Sequence, residues 1–277
     1  MTKQWSDEMS AFARAFAGAA VFGIPLVFTM EMWWIGKSLS LLYLLIAFGL
    51  GFIANLGLAR VAGFRDQHSW IMSIDQAIDA LAVGMVSAAV LLLTINQLRT
   101  SDGIEQGIGT IILLSIPLSL GASIARQVFS GRTSQGGEDG EDENKDLTLW
   151  QGLASDVGAT IIGGVFIGMT IAPTDEVKMI AAGLTRWHLV AVIILSLFLS
   201  YLIVFASDFD EKSPPGPFQH PISETMLAYV LSLLVSFGML MVLERISMSD
   251  PLTDIVSQTI VLALPATIGG AGGRLVI

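Results

Sequence analysis

Charged side chains occur inside stretches of this sequence that are otherwise apolar. They are Asp75, Asp79, Arg126, Glu224 and Arg274. A carboxylate and a guanidinium at one depth of an apolar structure can form an ion pair, whereas a carboxylate without such a partner can hold and release a proton. These residue types therefore point either to structural ion pairs or to a route for protons or small cations.

Two of these charges belong to a pattern that occurs twice. A proline is followed by a glycine four residues later and by an arginine after five more, and the second copy lies 148 residues beyond the first. The copies are Pro117, Gly121 and Arg126 in PLSLGASIARQV, and Pro265, Gly269 and Arg274 in PATIGGAGGRLV. Asp75 matches Glu224 at an offset of 149 residues. In the first helix, Gly18 and Gly23 resemble Gly158 and Gly163 of the fifth. We interpret the chain as a duplicated unit.

The composition places that unit in a membrane. Hydrophobic residues make up 53% of the chain, charged residues 14%, and the mean hydropathy is +0.70. Eight charge-poor runs have the length of about 20 residues that a helix needs to cross a bilayer. Apolar and polar residues do not alternate within these runs, so the runs predict helices rather than the strands of a barrel. We expect an all-α polytopic membrane protein with spans near 12–33, 38–60, 71–97, 104–128, 150–172, 184–206, 222–244 and 253–276.

Four spans on each side of a polar segment predict the domain organisation. Residues 1–129 form a first four-helix repeat, 130–148 an acidic flexible linker, and 149–277 a second repeat in the same orientation. The acidic stretch 138–146 is typical of a solvated connector, and it lacks the ligand spacing of an EF-hand calcium loop. Nine Lys and Arg residues on the side of both termini, against five on the other, predict cytoplasmic termini.

The repeat predicts which charges meet. Asp75 and Arg126 each lie about 25 residues from the turn between their helices, so they have the same depth, and the arithmetic is the same for Glu224 and Arg274. We predict both ion pairs. They are either staples that hold each hairpin or parts of a gate.

Asp79 lies one turn deeper than Asp75, and Ala228 stands at the equivalent position of the second repeat. Asp79 is therefore the best single candidate for proton transfer. A hydrogen bond from Asp79 to a neighbouring helix is the structural alternative.

The other membrane face has acidic residues as well. Glu31 lies near the exit of the first span, and Asp175 and Glu176 follow the fifth. These carboxylates are candidates for an outer mouth that attracts cations, and solvated helix ends are the alternative. Trp33 and Trp34 are typical of an interfacial aromatic belt.

Three prolines lie at positions that can change the path of a membrane helix. Pro25, Pro117 and Pro265 lie within apolar spans and are expected to kink their helices.

No catalytic or phosphate-binding motif is present, the three histidines are scattered, and there is no cysteine, so we expect no enzyme, no cofactor and no metal site. No stretch of basic residues with aromatic residues among them points to the binding of nucleic acid.

Four segments together resemble a family of uncharacterised bacterial integral membrane proteins. They are GIPLVFTMEMWW, APTDEVKMIA, HPISETMLAYVLSLLVS and IVLALPATIGGAGGRLV. The resemblance implies a multi-pass protein of the bacterial inner membrane, with the lipid bilayer as its partner, and it brings no established activity.

Two functions follow as hypotheses. The first is a transporter or channel for a small cation or proton, with its pathway between the two repeats. The second is a membrane scaffold or sensor in which the same charges only tie helices together. A route filled with water would favour the first, and a dry interior with every charge paired would favour the second.

Overall fold

The computed structural model describes residues 2–62, 70–99, 103–130, 145–206 and 221–274. All regular structure in these ranges is helical, which confirms the all-α prediction. The chain divides into two compact units, residues 1–129 and 130–277. The predicted linker falls mostly outside the described ranges, and the helices on either side extend into its ends at Ser130 and Lys145.

The first unit has four long helices and one short helix. Their bounds are α1 Thr2–Val27, α2 Met30–Ser38, α3 Leu41–Ala62, α4 Trp70–Thr94 and α5 Ile104–Ser130. Long runs of Leu, Ile, Ala and Val form them because, without water, a backbone must satisfy its own hydrogen bonds. Helix α4 packs against both α1 and α3.

The second unit has its elements in the same order. They are α6 Lys145–Ile171, α7 Glu176–Gly183, α8 Arg186–Ala206, α9 Pro221–Val242 and α10 Leu252–Gly273. Helix α10 packs against the other four, and every residue from 261 to 271 is buried. A helix that is apolar on all sides is expected at the centre of its unit, and α10 takes that place.

Six helices are long and apolar enough to cross a membrane unbroken, and the number rises to eight if each of two bent pairs counts as one span. The bent pairs are α1 with α2, at 86°, and α6 with α7, at 87°. The prediction of a continuous span over 12–33 is therefore wrong, since α1 ends at Val27. Sequence reasoning also missed α7. Pro173 explains the second break, because it has no N–H with which to continue α6.

Glycines let the first and last long helices of each unit cross closely. A Cβ atom on Gly18 would lie 2.6 Å from the carbonyl oxygen of Gly121, and one on Gly163 would overlap the carbonyl oxygen of Gly269. Only glycine leaves room for such an approach. Gly158, which the sequence comparison matched with Gly18, has no such neighbour within 4 Å. Gly163 therefore has in the second unit the packing role that Gly18 has in the first.

Candidate functional site

The ion pair predicted between Glu224 and Arg274 is present. Arg274 Nη2 lies 3.2 Å from Glu224 Oε2, and their side chains are 12% and 14% exposed, respectively. Glu224 lies in the first turn of α9, and Arg274 directly follows α10. Each charge thus has a partner of opposite sign in an environment where an isolated charge would be costly.

The equivalent pair in the first unit stays a prediction. The side chain of Arg126 lies outside the described residues, and Asp75 is exposed. Asp75 and Asp79 share the exposed face of α4 with large apolar side chains. Ile71 is 71% exposed on that face, and Ile78 is 52% exposed. Asp79 therefore does not point into the core of its own unit.

The acidic residues predicted for an outer mouth have three different environments. Glu31 is exposed, whereas Glu176 is buried on the face of α7 that also buries Val177. Asp175 forms an ion pair with Arg245, which also donates to the carbonyl oxygen of Thr174 at 2.9 Å. These contacts link the turn after α6 to the turn after α9. Asp175 is therefore already paired with Arg245.

Trp33 corrects the prediction of an interfacial pair of tryptophans. Its side chain is buried, and its indole N–H donates to the carbonyl oxygen of Val27 at 2.7 Å. Trp34 alone is exposed, at 60%. Trp33 therefore satisfies a carbonyl group that the end of α1 leaves without a helical partner.

The three prolines lie at different kinds of position. Pro25 lies two residues before the end of α1, and its carbonyl oxygen accepts a hydrogen bond from Thr29 Oγ1 at 3.0 Å. Pro117 and Pro265 lie inside helices α5 and α10, which continue past them. Only Pro25 is next to a break in the helical path.

A polar network inside the first unit was missed by sequence reasoning. Asn55 of α3 is fully buried and donates to Ser119 Oγ of α5 at 2.9 Å, and Ser123 Oγ donates to Asn55 Oδ1 at 2.6 Å. The Asn55 amide also donates to the carbonyl oxygen of Gly51 at 2.9 Å. The spacing of Ser119 and Ser123, one helical turn, was the signal available.

A different polar arrangement occupies the interior of the second unit. Helix α9 buries Thr225, Tyr229, Ser232 and Ser236, which recur at helical spacing on one face; we call this set the hydroxyl column. Ser232 donates to the carbonyl oxygen of Ala228 at 2.8 Å. The buried hydroxyl groups of Tyr229 and Ser236 have no hydrogen-bond partner among the described residues, and neither has Ser200 of α8.

Within the described ranges, no three His, Asp or Glu side chains gather as a metal ligand set. The arrangement offers instead a paired charge at one end of α9, a hydroxyl column beyond it, and two carboxylates on the exposed face of α4. Such groups can hold and pass protons or contact small cations. They include no nucleophile with an adjacent base.

The fold and these groups define a multi-pass integral membrane protein. The chain belongs to the family described as "Putative integral membrane protein (DUF2391)", whose model matches residues 11–277. The match confirms the resemblance drawn from the sequence. A search of curated proteins gave no match, and a search of solved structures gave none either.

Proposed function

We propose that this protein moves a proton or a small cation across its membrane. The observation that carries the proposal is the place of Asp79. It lies about nine residues into α4, which is ~14 Å along the helix axis and about half of the ~30 Å hydrocarbon layer. It is exposed from its own unit, on a face that it shares with Asp75 and with large apolar side chains.

The cost of that position supports a functional role. A carboxylate at the centre of a spanning helix costs about 2.5–3.5 kcal/mol on insertion scales, and such residues mostly line ion pathways. Replacing Asp79 with a hydrophobic residue would remove that cost. Because Asp79 is exposed from its unit, its carboxylate is also open to water or to a polar surface on this face of α4. The pathway between the repeats, suggested by the sequence, stays part of the proposal.

The proposal includes a duplicated architecture with two parallel repeats. It is supported by the common order of elements, by the bends of 86° and 87°, and by the left-handed residues Asn96 and Glu244 in the turns before α5 and α10. Each unit also has a glycine crossing between its first and last long helices. A bacterial inner membrane, cytoplasmic termini and the lack of enzymatic activity are further parts of the proposal.

Flux measurements in proteoliposomes test this function. Purified protein would be reconstituted around a dye sensitive to protons, sodium or potassium, and the gradient of the matching ion would be applied to each sample. We expect Asp79→Asn to lower the flux by about tenfold or more, because an amide cannot take up a proton or neutralise a cation. Asp254→Asn, an exposed carboxylate in the first turn of α10, is the matched control and should leave the flux unchanged.

Glu31→Gln tests the outer mouth in the same assay. A lower flux at low cation concentration would support attraction by Glu31, because the neutral amide removes the local negative charge. Unchanged flux in both Asp79→Asn and Glu31→Gln would contradict the assignment of these residues. No flux of any ion by the wild-type protein would contradict transport itself.

A scaffold or sensor is the second candidate, and one observation favours it. The Asn55 network, the Asp175 pair and the Glu224 pair each satisfy a polar group inside the helices or tie two elements together. Such contacts are what a purely structural role requires. This function predicts that Asp79→Asn changes neither flux nor stability.

A further inference from the structure

The hydroxyl column is buried along its whole length. Thr225, Tyr229, Ser232 and Ser236 are 5%, 6%, 1% and 0% exposed, and they follow one another after four, three and four residues. This spacing keeps them on one face of α9, which packs against α6, α8 and α10. At its start the column lies next to Glu224, the acidic member of the ion pair.

Two members of the column need a partner that other side chains do not supply. Leaving a buried hydrogen-bonding group unmatched costs about 1–3 kcal/mol. Ser236 could rotate towards a carbonyl oxygen of its own helix, as Ser232 does. Tyr229 cannot, because its hydroxyl group is held at the far end of a rigid ring. Its partner must therefore come from outside its own helix, and the described residues supply none.

The spacing of the column fits water. Ser232 and Ser236 are four residues apart, which is about 6 Å along the helix axis, and the Tyr229 hydroxyl group lies further from that axis, at the end of its ring. One water molecule that makes a hydrogen bond of ~2.8 Å on each side spans about 5.6 Å. A buried water also needs two to four polar partners, and neighbouring hydroxyl groups supply two.

Water has an entrance at the start of the column. Glu224 and Arg274 remain 14% and 12% exposed, and α9 begins only three residues earlier, at Pro221. From Thr225 to Ser236 the column covers about 17 Å, roughly half of the hydrocarbon thickness. The column therefore leads from a charged, partly hydrated pair towards the middle of the helix.

We propose that the hydroxyl column binds a single file of water molecules between the Glu224–Arg274 pair and Ser236, and that this file is one half of the proton route. Tyr229 and Ser236 can each accept a hydrogen bond from one water and donate one to the next, whereas Ser232 donates to the carbonyl oxygen of Ala228 and only accepts from water, so the water molecules there bond to one another. A proton that enters at one end then displaces another proton at the other end. The binding of water stands on the geometry of α9, and the passage of protons rests on the proposed function.

Solid-state NMR with transfer of magnetisation from water tests the binding. The chain has three tyrosines, so ring-labelled protein gives few signals, and Tyr229→Phe identifies the one of interest. Phe28, at 2% exposure, is the reference for a buried dry ring. We expect Tyr229 to receive magnetisation from water several times faster than Phe28. Equal build-up in the two rings would overturn the proposal.

Flux in proteoliposomes then separates the two claims. Tyr229→Phe keeps the ring and removes the hydroxyl group, and we expect it to lower proton flux by about tenfold. Tyr43→Phe, at a ring that is 62% exposed on α3, is the matched control. A hydrated Tyr229 with unchanged flux in Tyr229→Phe would overturn the proton route. A dry Tyr229 in a protein that still moves protons would overturn the water file and leave the proposed function standing.

Discussion

In the first unit, the polar side chains between α3 and α5 bond to one another, whereas in the second unit several buried hydroxyl groups have no partner among the described residues. Asn55 holds Ser119 and Ser123 in a closed network. Ser73 of α4 in the first unit has no partner among the described residues, and neither have Ser200, Tyr229 and Ser236 in the second. The two units thus share an order of helices and differ in interior chemistry. The contrast therefore lies between the bonded network of α3 and α5 and the hydroxyl column of α9, and not between all the polar groups of the two units.

The largest expected effect concerns the charged end of the second unit. Arg274→Gln leaves Glu224 without its partner, and breaking a buried pair costs about 3 kcal/mol of stability. Unfolding by SDS, followed by tryptophan fluorescence, measures the loss. The double variant Arg274→Gln with Glu224→Gln should recover most of it, because no charge remains uncompensated. A double variant as unstable as the single one would show that the pair does not explain the effect.

A smaller effect separates the two interiors directly. Asn55→Ala removes the centre of the first network and leaves Ser123 without its acceptor, while Ser119 keeps its hydrogen bond to the carbonyl oxygen of Ile116, so we expect a loss of about 2 kcal/mol. Ser200→Ala is the control in the second unit, and it should change the free energy of unfolding by less than about 0.5 kcal/mol, because its hydroxyl group has no hydrogen-bond partner among the described residues. Equal losses in the two variants would remove the contrast between the units.

The smallest expected effect tests the pair that the structure does not describe. A double-mutant cycle on Asp75 and Arg126, with Asn and Gln as the replacements, should give a coupling energy of about 0.5 kcal/mol, because Asp75 is exposed and exposed pairs contribute little. The corresponding cycle on Glu224 and Arg274 should give a larger value. A coupling of similar size in both units would make the charged ends equivalent and confine the contrast to the hydroxyl groups.

Much of the fold follows from the sequence because hydropathy is a local property. Six of the eight predicted runs are unbroken spans, and Glu224 meets Arg274 because two antiparallel helices of known length fix their depth. The bend after Val27 was not predictable in this way. It depends on hydrogen bonds from Thr29 and Trp33 to carbonyl groups near the end of α1, and FTMEMWW reads as apolar as the span before it.

The candidate site shows the same division. A period of 3.6 residues puts Thr225, Tyr229, Ser232 and Ser236 on one face, and the sequence alone determines that they share it. Periodicity shows which residues share a face, but it does not show whether that face packs against another helix or is exposed. Packing between helices decided that this face is buried, whereas Asp79 on α4 is exposed. It also decided that Glu176 is buried and Glu31 is exposed. The ion pair between Arg245 and Asp175 depends on packing in the same way. These outcomes depend on contacts between segments far apart in the chain, so only the tertiary structure could decide them.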